Sequence, residues 1–415
     1  MTRVDPGRRT VVDLGRRVSA TLFALLVLGC CYLAPRFWEQ SHPPLDATTL
    51  AIPREGQGTW LAEGRVPQIE ELAGSTMARD ALLDLNALSR PHGVPVAGWA
   101  PAWQYVWPRD VAFAASAFAR TGHFDDAERI LQFLQDSQPT SGTFEARYRP
   151  DGSGPPDHRG IQLDGSGWAI WALDQVASEL PTASQQRELI TGFQPLLDRS
   201  VAAILRSVQD GSTLPPPSPD YWERAERRVT LATCSVLLAG LRSAERLYQA
   251  VGQPRPVLSP VADRFEQTIL TTFAPDGFPR HPGGPPRTVD LGVAFLLRPF
   301  AGVTDPSAVQ AWRRSPTFMR RPAGGLAPGG SWRRDGISWT PTVASYAMVE
   351  ACEAPRERAV ARLRWLDQHR TTAGSLPEKV RADGSPASVA PVSWTAAAVV
   401  ITVDELERGC STSGR

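Results

Sequence analysis

Lysine is nearly missing from this 415-residue chain: Lys379 is the single lysine among 44 lysines and arginines. Arginine carries the rest of the positive charge, a bias that reads as GC-rich coding and not as chemistry. The 43 acidic residues leave a formal charge of +1, without the electrostatic footprint of a nucleic-acid binder. Histidine is also scarce. The six histidines are scattered, with no His-x-x-x-His or Cys-x-x-Cys spacing, so a metal or redox centre has no ligands to build on and no cofactor is inferred. Of five cysteines, Cys30 and Cys31 fall in an N-terminal apolar run, leaving Cys234, Cys352 and Cys410. Cys234 and Cys352 lie on apolar helical patterns, where buried free thiols are expected, and no disulfide is assigned. Strand-length alternation of apolar and polar residues is rare, which excludes an all-β fold.

What the chain does have begins with that N-terminal run. Arg3, Arg8, Arg9, Arg16 and Arg17 precede the apolar stretch Val18 to Ala34. A short span behind a block of arginines predicts a signal anchor over 18–34, with residues 1–17 cytoplasmic and the remainder extracytoplasmic. A competing reading stays open, because Val27-Leu28-Gly29-Cys30 resembles a lipoprotein processing site with Cys30 acylated. Simple secretion is a third. Residues 35–64, rich in Pro, Gly and small polar residues, read as a linker, residues 65–408 as one catalytic-sized domain and 409–415 as a tail.

Within 65–408, apolar residues recur at helical spacing, interrupted by Gly and Pro. The pattern predicts helices near 68–89, 108–121, 124–136, 165–179, 186–208, 223–251, 259–272, 288–298, 306–319, 341–353, 355–369 and 393–408. The class is all-α, and about twelve helices in pairs suit an (α/α)6 toroid. Five long intervening stretches carry the polar and aromatic motifs: Gly98 to Pro108, Gln138 to Gln162, Asp210 to Tyr221, Ala323 to Thr340 and Thr371 to Pro391.

Two glutamates stand out, in Tyr221-Trp222-Glu223 and Gly374-Ser375-Leu376-Pro377-Glu378. Glycoside hydrolysis needs one carboxyl that donates a proton to the leaving oxygen and one that stays ionised. Trp222 beside Glu223 is placed to desolvate that carboxyl and suit it to the acid role. A Glu beside a Trp is ordinarily a helix-surface residue over a packed ring, so the pair alone does not decide the function.

Further motifs sharpen the reading. Tyr105-Val106-Trp107-Pro108-Arg109-Asp110 runs into an apolar helix, Gln162-Leu163-Asp164-Gly165-Ser166-Gly167 opens another, and Val392-Ser393-Trp394-Thr395-Ala396-Ala397 opens the last. With the two glutamate motifs, and in this order from about Trp99 to Glu407, they resemble glycoside hydrolase family 15, the glucoamylase family. The resemblance implies an (α/α)6 barrel, Arg109 and Asp110 on the hydroxyls of a terminal glucose, Glu223 as acid and Glu378 as base. The chain departs from the family at Ser331 to Pro341, where a longer Tyr- and Gly-rich loop is usual, which leaves linkage and chain-length preference open.

Each residue also has a structural alternative. Arg109 could pair with a carboxylate at a helix start and Asp110 could favour the helix dipole, yet a guanidinium and a carboxylate presented together suit vicinal hydroxyls. Asp164 reads equally as a site residue or as a helix cap. Of the thirteen tryptophans, Trp168, Trp171 and Trp365 lie inside helices and read as core. Trp103, Trp107, Trp222, Trp332 and Trp339 lie at loop–helix junctions and are the candidate pocket wall, with Trp394 a lower-ranked candidate. The expectation is a monomeric, membrane-tethered, exo-acting and inverting α-glycosidase with a carbohydrate substrate. Trehalase, α-1,6-glucan hydrolase and non-catalytic glycan-binding readings are the alternatives.

Overall fold

The computed structural model describes residues 56–90 and 92–410. The expected anchor over 18–34, Cys30 and most of the expected linker lie outside the described residues. Among the described residues no helix is long and apolar enough to cross a membrane.

Six buried elements form an inner ring: Pro108–Arg120, Asp164–Glu179, Leu231–Ala250, Leu291–Leu296, Thr340–Glu353 and Ser393–Arg408. Every residue of Pro108–Arg120 is buried, as is nearly every residue of Ser393–Arg408. A helix apolar all round has to be enclosed by others. Each element packs on the next, and Ser393–Arg408 packs back on Pro108–Arg120, which closes the ring. An outer layer returns the chain after each inner element: Phe124–Ser137, Gln194–Val208, Leu258–Phe273, Pro306–Arg314 and Arg356–Gln368, while Met77–Ser89 covers Ser393–Arg408. The tightest inner contact is made without side chains. A Cβ on Gly240 would lie 2.8 Å from the Gly167 Cα, and one on Gly167 would enter the Val236 carbonyl.

The structure differs from the predicted elements at several places, among them 306–319, which divides into Pro306–Arg314 and Pro316–Met319. Residues 288–298, expected as an α-helix, form only the 3-10 helix Leu291–Leu296, whose start Asp290 caps by accepting from the Gly292 N–H. The helix expected from 223 begins at Leu231, where the Thr230 hydroxyl accepts from the Thr233 N–H. Residues 223–230 are therefore loop. The helix expected over 186–208 breaks at Phe193 into Ala183–Gly192 and Gln194–Val208, with Pro195 in the new first turn. The helix expected from 68 starts at Met77. The end of the expected linker is packed on the domain: Gly58–Ala62 is a short helix, and Trp60 stacks on His123 at 3.9 Å and donates to Asp126 at 2.8 Å.

Cys352 is not a free thiol. It is disulfide-bonded to Cys410, with Cα atoms 5.2 Å apart, joining the end of Thr340–Glu353 to the residues just past Ser393–Arg408. Cys234 is buried and free, and burial pushes its thiol up. Glu405 lies close to the disulfide, but its two sulfurs are bonded to each other and so hold no thiolate for a metal.

Candidate active site

The predicted site residues cluster where the inner helices begin. Trp107 caps Pro108–Arg120 with extended backbone and Pro108 occupies the first turn, so Arg109 and Asp110 leave the helix at its open end. Arg109 Nη2 donates to Asp110 Oδ2 at 2.9 Å, its guanidinium lies 4.5 Å from the Trp394 ring centroid, and Nη1 stands 3.5 Å from Glu223 Oε1. Burial opposes the Arg109 charge, but Asp110, Glu223 and Asp164 outweigh it and hold the guanidinium protonated above its usual range. Burial pushes Asp110 up despite Arg109. Asp164 rises to about 7, again through burial, with Arg109 opposing. The cap reading of Asp164 fails, because the cap position is Leu163 and the Asp164 carboxylate accepts instead from Trp168 Nε1 at 3.3 Å.

Glu223 sits on a tight turn built by Asp220. The Asp220 carbonyl accepts from the Glu223 N–H at 2.8 Å, and its carboxylate accepts from the Trp222 N–H at 2.9 Å. Glu223 itself has φ of +53°, a left-handed conformation that costs a non-glycine residue energy and often marks a functional position. Its side chain, 23% exposed, accepts from Gln162 Nε2 at 3.1 Å and faces Arg159 Nη1 at 3.4 Å. Arg280 anchors the turn from below, donating to Asp220 at 2.8 Å, Glu226 at 2.7 Å and Asp290 at 2.6 Å. The Trp222 ring therefore packs on Arg280 and Trp332, while the partners of the Glu223 carboxylate are polar.

Glu378 is held by a small antiparallel sheet of Ser338–Trp339, Lys379–Val380 and Pro386–Ala387. Its carbonyl accepts from the Thr340 N–H at 3.0 Å and its N–H donates to the Val389 carbonyl at 2.8 Å. The side chain is 14% exposed, and Oε2 accepts from Ser388 Oγ at 2.5 Å and forms an ion pair with Lys379 Nζ at 3.2 Å. Oε1 has no recorded partner among the described residues. The one lysine of the chain, to which composition assigned no role, thus sits on the candidate base, 4.4 Å over the Trp339 ring.

An aromatic wall joins the two glutamates. Trp222 meets Trp332 edge-on at 4.7 Å, Trp332 meets Trp339 at 5.3 Å, and Tyr221 bridges Trp222 to Trp394. Trp107 lies to one side under Arg147, at 5.1 Å. Trp103, half-buried on the short 3-10 helix Pro101–Trp103, makes none of the ring contacts recorded among the described residues. Trp168 and Trp171 are fully buried, as expected of core. Sequence reasoning missed Arg159, Gln162, Arg280, Lys379 and Ser388 as site residues. Only Gln162 and Lys379 had a signal, Gln162 as the first residue of a quoted motif and Lys379 as the residue just after one.

The chain matches no protein-family model and no curated protein. It is similar to solved structures. A wild-type glycosidase superposes with TM-score 0.68 at 19% identity, over 82% of this chain and 98% of that one. A bacterial glucoamylase complexed with acarbose gives 0.65 at 18%, over 83% and 57%. The glucoamylase from Saccharomycopsis fibuligera gives 0.63 at 12%, over 88% and 98%. At such identities the likeness establishes the glucoamylase-like toroid and leaves the chemistry to the site.

Proposed function

We propose that the chain is a glycoside hydrolase: an exo-acting, inverting α-glycosidase that removes terminal glucose from oligo- or polysaccharides. The observation that carries the reading is the placement of Glu223 and Glu378 on two loops linked through one continuous set of contacts, from Arg109 and Trp394 along the aromatic wall to Lys379. Glu223 protonates the glycosidic oxygen and the C–O bond to the leaving sugar breaks. Glu378, with Oε2 engaged by Ser388 and Lys379, takes a proton from water through Oε1 as that water bonds to the anomeric carbon. Arg109 and Asp110 hold the terminal sugar's hydroxyls. A neighbouring glycosidase variant solved with glucose supports glucose as the sugar. Attachment to the membrane through residues 18–34, with the domain extracytoplasmic, belongs to the same proposal.

Hydrolysis of a panel of α-glucans, trehalose and isomaltose, followed by NMR of the first product, tests it. The β-anomer appearing first supports inversion, whereas the α-anomer makes Glu378 the nucleophile of a retaining mechanism. A second reading, a glycan-binding barrel without turnover, is favoured by Arg159, which stands at the Glu223 carboxylate. Binding of the panel without product formation selects it.

A further inference from the structure

The wall beside Glu223 is rich in donors and cations. Trp222, Trp332 and Trp339 each have a buried Nε1 with no acceptor among the described residues. Four indoles elsewhere find theirs: Trp60 donates to Asp126, Trp168 to Asp164, Trp171 to the Pro299 carbonyl and Trp365 to the Ala323 carbonyl, whereas Trp107, Trp312 and Trp394 share the unpartnered state. A buried N–H without a partner is costly, and what sets this wall apart is that three of them adjoin, through the Trp222–Trp332 and Trp332–Trp339 contacts.

Cations stand over the same rings. The Arg224 guanidinium lies 4.5 Å from the Trp332 centroid and 5.8 Å from Trp222. Among the described residues no carboxylate comes within ion-pair distance of Arg224, Arg228 or Arg333. Partial burial disfavours the Arg224 charge, Arg333 and Arg280 add to that, and Glu226 opposes it without outweighing it. Glu226, the acid beside them, is occupied by Arg280 at 2.7 Å and faces His281 at 3.4 Å. A groove of about 370 Å³ opens here between Trp222, Arg224, Arg228, His281 and Ser331. In a chain whose charges nearly cancel overall, Arg224 over the tryptophan wall, with Arg228 and Arg333 also lacking an ion-pair partner, marks a place where negative charge arrives from outside. Guanidinium and indole N–H groups together suit an oxyanion, which accepts and does not donate.

We propose that this wall is a subsite for an anionic group carried by the glycan, a carboxylate, sulfate or phosphate ester, so that the substrate class is an acidic α-glycan. The proposal rests on the glycosidase reading and extends it from the reacting centre to the neighbouring group.

The test compares maltotriose with maltotriose bearing one phosphate, one sulfate or one glucuronic acid, using the full chain and measuring both binding by calorimetry and kcat/KM. At least one charged ligand is expected to bind about tenfold or more tighter than maltotriose, the range of a charge-assisted hydrogen bond. The preference is expected to shrink with added salt. Arg224→Ala should raise KM for the charged substrate about tenfold more than for maltotriose while leaving kcat for both within about twofold, and Arg333→Ala should act in the same direction. The arm that responds identifies the anion. Turnover of maltotriose with no preference for any charged form overturns the inference and leaves the hydrolase reading standing. Preferential binding of a charged form without any turnover upholds the subsite and overturns the hydrolase reading. Equal effects of Arg224→Ala on charged and neutral ligands also overturn the inference.

Discussion

The Arg280 guanidinium lies 3.9 Å from the centroid of the Trp222 ring, one residue from Glu223. Arg280 is 2% exposed and binds Asp220, Glu226 and Asp290, so one buried cation ties the turn that presents Glu223 to the cap of the fourth inner element. Burial opposes its charge, but Asp220 and Asp290 hold it protonated. The position of the candidate acid is thus set by a cation that does not touch it.

Arg280→Met is expected to destabilise the fold by about 3–5 kcal/mol, because it leaves two buried carboxylates and a partly buried one without their partner. Urea unfolding measures the loss. A midpoint within error of wild type would show that the cluster is not the anchor described.

Glu223→Gln and Glu378→Gln should each lower kcat by about 10²–10⁴-fold, the usual contribution of a general acid or base, with an unchanged circular dichroism spectrum. Near wild-type turnover by either variant removes that residue from its assigned role.

Lys379→Met is expected to lower kcat by about tenfold or more, since Glu378 Oε2 keeps only Ser388. Lys379→Arg should restore activity only in part, because a planar fork does not replace a compact ammonium beside the Trp339 ring. Full activity of Lys379→Met in steady-state assays would make the lysine incidental.

The Cys352–Cys410 bond closes a segment with a sequence separation of 58. Replacing both cysteines with serine should cost about 2–4 kcal/mol, chiefly by freeing the unfolded chain. In native protein, peptide mapping after alkylation should leave Cys234 unlabelled, because its thiol is buried. Labelling of Cys352 or Cys410 without reductant would contradict the pairing.

Asp164 has a folded-state pKa of about 7, above its usual 3.8, because burial disfavours the carboxylate. Its protonated form is therefore the one folding favours. That stability is complete below about pH 4 and is lost as pH rises through 7. Asp110 and Asp290 act in the same direction. Asp164→Asn should gain stability relative to wild type between pH 5 and pH 8, by about 3 kcal/mol at most, since roughly two pKa units of the shift fall in that window at about 1.4 kcal/mol each. Thermal denaturation at the two pH values reads the difference, and an equal offset at both would refute the buried-acid assignment.

The inner helices were legible in the sequence because a helix enclosed by others must be apolar on every face. Pro108–Arg120, Asp164–Glu179, Thr340–Glu353 and Ser393–Arg408 fall within two residues of the periodic segments. The motifs also placed Trp107, Arg109, Trp339 and Trp394 at the helix starts where they lie, whereas Glu223 sits in the loop before Leu231 and Glu378 beside the strand Lys379–Val380. The fourth inner element was not legible: Leu291–Leu296 has an apolar run like the others, but Asp290 is spent on Arg280 and on the Gly292 N–H, and the chain tightens to 3-10. The reach of Arg280 to Asp220 and the pairing of Cys352 with Cys410, across sequence separations of 60 and 58, leave no local trace. Nor does a tryptophan's place in a sequence tell whether its N–H will meet an acceptor. Local pattern was enough to tell which segments had to be buried and where the chemistry-bearing side chains enter. Tertiary structure alone decided what each of them faces, because charge pairing, cross-linking and hydrogen-bond satisfaction depend on residues that the chain brings together only when the ring closes.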